Sequence, residues 1–167
     1  YDLNTGQLKN RITSGVGPIT NIVRLDEATR TMWYEAVGKE PGQDPYYTHL
    51  YKVGLDGRNN VSLTPDNGTH TTQISPDGKY VIDTFSQPDV APETTLRDGA
   101  TGALIIPLEK ADISKLLATG WKPPLQIKMR SADGKHDIYG VLFRPTNFDP
   151  TKKYPIINQA YPGPQSG

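Results

Sequence analysis

Three histidines, His49, His70 and His136, and no cysteine at all limit the chemistry this 167-residue chain can do with its own side chains. The missing cysteines exclude a thiol nucleophile and a disulfide framework. His49 and His70 have no second ligand at metal spacing, so each reads as a histidine at the surface or in the packing between strands. His136 follows a turn and reads the same way. A hydrolytic serine would sit in a G-x-S-x-G elbow. Ser14-Gly15 and Ser166-Gly167 come nearest, and neither has the flanking glycines. Asp56-Gly57 and Asp77-Gly78 resemble pieces of calcium loops but lack the further oxygen ligands. They read as turns, where glycine supplies positive φ and aspartate accepts from the backbone. Asn60-Val61-Ser62 and Asn67-Gly68-Thr69 are formal glycosylation sequons, and tripeptides of this kind arise by chance. Tyr161 opens Tyr-Pro-Gly-Pro. Its hydroxyl is a single directional donor at a strand end, held by a stiff turn. From the residues alone it is a strand-terminal aromatic packed on its sheet.

The elements that must position these groups are strands. Over residues 1–110 the apolar alternation has period two. Candidate strands are Ile19–Leu25, Thr31–Val37, Thr48–Val53 and Val61–Thr64. The pattern restarts with His70–Ile74, Lys79–Ser86, Thr94–Arg97 and Ala103–Leu108. Residues 1–13 read as the end of an earlier unit, with a turn at Asn4-Thr5-Gly6 and then Leu8–Thr13. Turn glycines Gly6, Gly57 and Gly102 stand 51 and 45 residues apart. Four strands per unit with a period of about 40–50 residues predicts β-propeller blades. One blade cannot bury both faces alone, so two and a third blades imply others upstream. An antiparallel sandwich with accidental spacing is the alternative.

Composition bounds the partners. Eighteen basic and eighteen acidic residues cancel, which gives no electrostatic reason to expect nucleic acid or an anionic membrane. No apolar run approaches the ~18–20 residues that span a bilayer. Sixteen glycines, fifteen prolines and nine tyrosines against three phenylalanines suit short strands and wet turns. The chain starts at Tyr1 and stops just after an apolar strand, so it is expected to be a piece of a longer protein.

Beyond residue 110 the pattern changes. Ile113, Leu116 and Leu117 lie at helical spacing with Gly120 as a stop, which predicts a short connecting helix. Leu125–Arg130, the turn Ala132-Asp133-Gly134-Lys135 and Ile138–Phe143 predict a hairpin. Pro145–Lys153 is a polar loop, and Tyr154–Ala160 is a further predicted strand around Ile156-Ile157. Three domains follow: 1–110 as blades, 111–120 as connection, and 121–167 as the edge of a second fold.

Segment 121–165 resembles the start of the catalytic domain of the prolyl oligopeptidase-type serine peptidases, in their dipeptidyl peptidase IV branch. The matching residues are Trp121-Lys122-Pro123-Pro124, Asp133-Gly134, Tyr139-Gly140, Pro145, Asn147-Phe148-Asp149, Lys152-Lys153-Tyr154-Pro155 and Tyr161-Pro162-Gly163-Pro164. Upstream, Trp33-Tyr34, His49-Leu50-Tyr51-Lys52-Val53 and Ile74-Ser75-Pro76-Asp77-Gly78-Lys79-Tyr80 resemble the last two blades of that family's propeller.

The resemblance implies a mainly β fragment: C-terminal blades of a β-propeller joined to the opening strands of a truncated α/β-hydrolase domain. It implies a parent serine exopeptidase that releases dipeptides from free N-termini, preferentially after proline or alanine. It also implies no cofactor or metal, a homodimeric parent, and a periplasmic, secreted or membrane-anchored location. Tyr161 matches the tyrosine whose hydroxyl helps stabilise the oxyanion, a role in which one pre-placed donor is worth ~2.7–4 kcal/mol. The Ser, Asp and His of the triad are expected beyond residue 167. In the family the histidine comes last, so His136 is not the base. The paired glutamates that hold the substrate's amino terminus lie earlier in the propeller, and Glu27 and Glu35 are outside that motif. The fragment alone is therefore expected to be inactive and to associate through its open sheet edges. The competing expectation is a non-catalytic propeller module that binds peptide or glycan, using loops such as Pro45-Tyr46-Tyr47.

Overall fold

Turn chemistry divides the chain into short antiparallel strands. In a computed structural model, which describes residues 1–159, these strands fall into two compact units, Tyr1–Asp112 and Ile113–Gly167. In the first unit, β1 (Ile19–Asp26), β2 (Thr31–Val37), β3 (Thr48–Gly54) and β4 (Val61–Ser62) form one four-stranded meander in chain order. A second meander follows, made of β5 (Thr69–Ile74), β6 (Tyr80–Gln87), β7 (Val90–Asp98) and β8 (Leu104–Lys110). All neighbouring strands in both sheets pair antiparallel. These are the two four-stranded blades that the sequence period predicts.

The period-two pattern of β2 and β3 gives the first sheet two buried faces. Met32, Tyr34, Ala36, Tyr51 and Val53 form one cluster, against which Ile12 and Leu55 pack. Tyr34 and Tyr51 stack there with centroids 5.3 Å apart. The Tyr51 hydroxyl donates to Glu40 at 2.7 Å. Burial, reinforced by that carboxylate, pushes the Tyr51 hydroxyl far above the ordinary tyrosine range. On the opposite face Trp33, Leu50, Leu63 and Val81 form a second cluster that joins the two sheets, with Val23, Val61 and Ile74 beside it. At ~0.8 kcal/mol per buried methylene, this shared cluster holds the two blades together.

Polar ties flank it. Arg24 lies over the Trp33 ring, 5.0 Å from its centre, and donates to the Ser75 carbonyl of the second sheet at 2.9 Å. Lys52 lies over the same ring at 5.5 Å and donates to the Gly99 carbonyl at 3.4 Å. The turn at Gly102 nestles against Leu63. A Cβ there would come within 2.8 Å of the Leu63 Cα, and φ is +76°, so only glycine fits.

Thr94–Arg97 lengthens to Val90–Asp98, and three expected strands are curtailed or make no ladder. Val61–Thr64 is shorter in the ladder, because the Thr64 hydroxyl rather than its backbone takes the Leu50 N–H at 2.8 Å. Leu8–Thr13 makes no ladder, although the Asp2–Gly6 turn forms, with Gly6 donating to the Asp2 carbonyl at 2.8 Å. The expected strand from Tyr154 is likewise absent over residues 154–159, where Ile156 and Ile157 are 87% and 92% exposed. A strand is defined by a partner, and no described residue pairs with this segment.

The second unit holds the hairpin of β9 (Leu125–Arg130) and β10 (Asp137–Leu142), in register from Asp137↔Arg130 to Leu142↔Leu125. Its helix α1 (Ser114–Ala118) is a single turn with no side-chain cap, shorter than the expected segment. Five residues without a cap or a buried face have little to propagate a helix. No helix among the described residues is long and apolar enough to cross a membrane.

Candidate functional site

The histidines of the first unit are interior. His49 is 1% and His70 5% exposed, and their rings meet between the two sheets with centroids 4.8 Å apart. His49 Nδ1 is 2.7 Å from the Thr64 carbonyl. A carbonyl can only accept, so Nδ1 is the donor. His70 donates through Nε2 to the Asp66 carbonyl at 2.9 Å, and its Nδ1 lies 2.8 Å from Asp83 Oδ1. The other Asp83 oxygen accepts from Arg97 Nε at 2.8 Å, and Arg97 also grips the Asp66 carboxylate. Phe85 stacks on His70 at 5.3 Å.

A His–Asp pair resembles half of a hydrolytic triad, but the side chains of His70 and Asp83 are both wholly buried. Among the described residues no serine hydroxyl joins them, and burial closes them to substrate, so the network is an internal brace. It satisfies buried charge by pairing both carboxylate oxygens of Asp83. The sequence carried a faint signal of it. Asp83 stands between Val81 and Phe85 on the inward-facing set of β6, and a charge in that alternation requires a partner. Thr48-His49 and Thr69-His70 also repeat one dipeptide on the strands that meet.

The aspartate turns behave as turns. Ser75-Pro76-Asp77-Gly78-Lys79 closes β5 onto β6: the Ser75 hydroxyl donates to Asp77 at 2.7 Å and the Lys79 N–H at 3.1 Å. The Ser75 hydroxyl bond, then the backbone bond from Lys79, lowers the Asp77 carboxyl to about 2. Ser131-Ala132-Asp133-Gly134-Lys135 repeats the same bonds in the second unit, with Lys135 N–H donating to Asp133 at 3.0 Å and His136 N–H to the Ser131 hydroxyl at 3.0 Å. His136 itself is exposed at that turn. Among the described residues no cluster of three or more His, Asp or Glu could hold a metal.

Tyr161, the one expected catalytic residue, lies outside the described residues. The segment leading to it is described. Phe148 stacks on Tyr154 at 5.2 Å, Arg144 covers the Phe148 ring at 4.7 Å, and the Asp149 N–H donates to the Tyr154 hydroxyl at 2.9 Å. Thr151 donates to Asp149 from both its N–H and its hydroxyl. The motif Asn147-Phe148-Asp149 to Lys152-Lys153-Tyr154 thus packs on itself through aromatic and Asx-type contacts. It anchors the chain seven residues before Tyr161.

The family described as the dipeptidyl peptidase IV (DPP IV) N-terminal region matches residues 1–92. The chain belongs to that family. A probable dipeptidyl-aminopeptidase B of Emericella nidulans is 28% identical over 159 residues, which is 93% of this chain and 17% of the relative. A putative dipeptidyl aminopeptidase of Schizosaccharomyces pombe is 28% identical over 165 residues, 93% of this chain and 19% of the relative. The crystal structure of Porphyromonas gingivalis dipeptidyl peptidase 4 superposes with a TM-score of 0.68 and 23% identity, over 91% of this chain and 21% of that one. A putative dipeptidyl aminopeptidase IV from Bacteroides ovatus gives 0.64 and 24%, over 86% and 20%. The chain therefore spans about a fifth of the length of its relatives. The mainly β fold, with its two four-stranded meanders, agrees with the expected propeller blades. The family match ends within β7, whereas the relatives align over 93% of the chain and so continue into the second unit.

Proposed function

We propose that this chain supplies the last propeller blades and the opening hydrolase strands of a serine-type dipeptidyl peptidase. In this reading the whole protein removes dipeptides from peptides with a free N-terminus, preferentially after proline or alanine. The observation that carries it is the collinear alignment, over 93% of the chain, with relatives named dipeptidyl-aminopeptidases. Matching only the blades would suit any propeller, including a binding module. Alignment through the hairpin and the Phe148–Tyr154 anchor favours the peptidase.

Residues 1–110 then serve as the gating blades, 111–120 as the connection, and 121–167 as the first edge of the catalytic sheet. Tyr161 donates its hydroxyl to the developing oxyanion. No cofactor is required by this chemistry. The whole protein is a homodimer in a periplasmic, secreted or membrane-anchored setting. Serine, aspartate and histidine of the triad come from outside this chain, so its 167 residues alone do not turn over substrate. The test is hydrolysis of an alanyl-prolyl anilide by the whole protein. Tyr161→Phe is expected to lower kcat by roughly 10²–10³-fold with KM little changed. An unchanged kcat in the variant, or turnover by the 167-residue chain alone, would overturn the reading.

A further inference from the structure

The contact between His49 and His70 has a property that a purely apolar joint would lack. His49 projects from β3 of the first sheet and His70 from β5 of the second, so the two rings meet across the joint between blades. Nδ1 of His49 donates to the Thr64 carbonyl, which leaves Nε2 as the lone-pair nitrogen of a neutral ring. That Nε2 is buried with no hydrogen-bond partner among the described residues. A proton added there would place an N–H and a positive charge where nothing described accepts them.

Burial, more than the charges around it, is set against that proton. Burial is the first cause lowering the His49 pKa, and the nearby His70 acts in the same direction. The Thr64 carbonyl, Glu40 from the β2–β3 connection and Asp83 from β6 oppose it. Asp83 is already engaged on one side by His70 and on the other by Arg97, which also holds Asp66 from the β4–β5 connection. The nearest carboxylates are therefore committed elsewhere, Glu40 to the Tyr51 hydroxyl among them.

We propose that His49 and His70 form a proton-operated joint between the two blades, in which uptake of a proton on Nε2 of His49 loosens the packing of β3 against β5. The sign follows from linkage. A histidine whose folded form resists protonation leaves stability intact above the ordinary histidine value of 6.5 and removes it as pH falls below that value. The joint is closed near neutrality and opens in acid. Opening affects the blade seam first, because β3 and β5 are the strands that touch there.

Hydrogen–deuterium exchange of the whole protein at pH 7.5 and pH 5.5, corrected for the intrinsic pH dependence of exchange, tests this. Peptides covering 48–54 and 69–74 are expected to lose roughly tenfold more protection in acid in the wild type than in His49→Asn, as one proton taken up by His49 on opening weighs tenfold for each decade of acidity below the ordinary histidine value. His49→Asn retains a donor toward the Thr64 carbonyl and cannot be protonated, so it should flatten that dependence. His136→Asn, at an exposed turn, should leave it unchanged. The same acid response in the wild type and in His49→Asn would overturn the proposal. If His49→Asn fails to fold, NMR titration of the wild-type ring decides instead. Protonation below the ordinary histidine range supports the joint, and protonation at or above it overturns it.

Discussion

The two units use the same local turn and almost nothing else in common. Ser75–Lys79 and Ser131–Lys135 close their hairpins with matching serine, aspartate and backbone bonds. Beside the first turn, however, stands Trp33, buried with Leu50, Leu63 and Val81 in the cluster that joins two sheets. Around the second, Met129, Ile138 and Val141 remain largely exposed, and among the described residues of that unit only Pro124 is buried. The difference teaches that an Asp-Gly turn forms from five neighbouring residues, whereas burial requires a second layer. The first unit contains its own second layer because the blade repeats.

The contrast can be broken most severely at Asp83. Asp83→Ala leaves Arg97 and His70 buried without their shared carboxylate, and should cost the first unit about 3–5 kcal/mol. Chemical denaturation followed by Trp33 fluorescence, in a Trp121→Phe background, measures this directly. A loss below about 1 kcal/mol would show that the brace is not structurally decisive. Leu63→Ala comes next. Leu63 is fully buried in the joint, and its truncation should cost about 2–5 kcal/mol by the same assay. Gel filtration would show whether the loosened blades associate through their edges.

The smallest effect is expected at the two aspartate turns. Asp77 and Asp133 are both held below the ordinary carboxylate value by a serine hydroxyl first and by backbone N–H next. A depressed carboxyl adds stability above its unfolded value, and that stability is lost as pH falls through the folded value. For Asp77 this window runs from 3.8 down to about 2. Side-chain carbonyl NMR should show Asp77 titrating near 2 and Asp133 shifted in the same direction. An Asp133 that titrates at the ordinary value would mean that the turn needs its layered surroundings after all.

Sequence alone determined the strand periodicity, the turn positions, the four-strand repeat and the motif string that marks the family. Each depends on residues close together in the chain: alternation over seven or eight positions, a glycine at a turn, an aspartate two residues after a serine. Even the expected strand at 154–160 was legible as apolar sequence, yet it makes no ladder over its described residues because a strand also needs a partner. Tertiary structure alone decided the meaning of the histidines. His49 and His70 are 21 positions apart in sequence, and no spacing rule brings their rings to 4.8 Å. Only the stacking of one blade on the next does so, and the same stacking removes Asp83 and Arg97 from water and makes their charges obligatory partners.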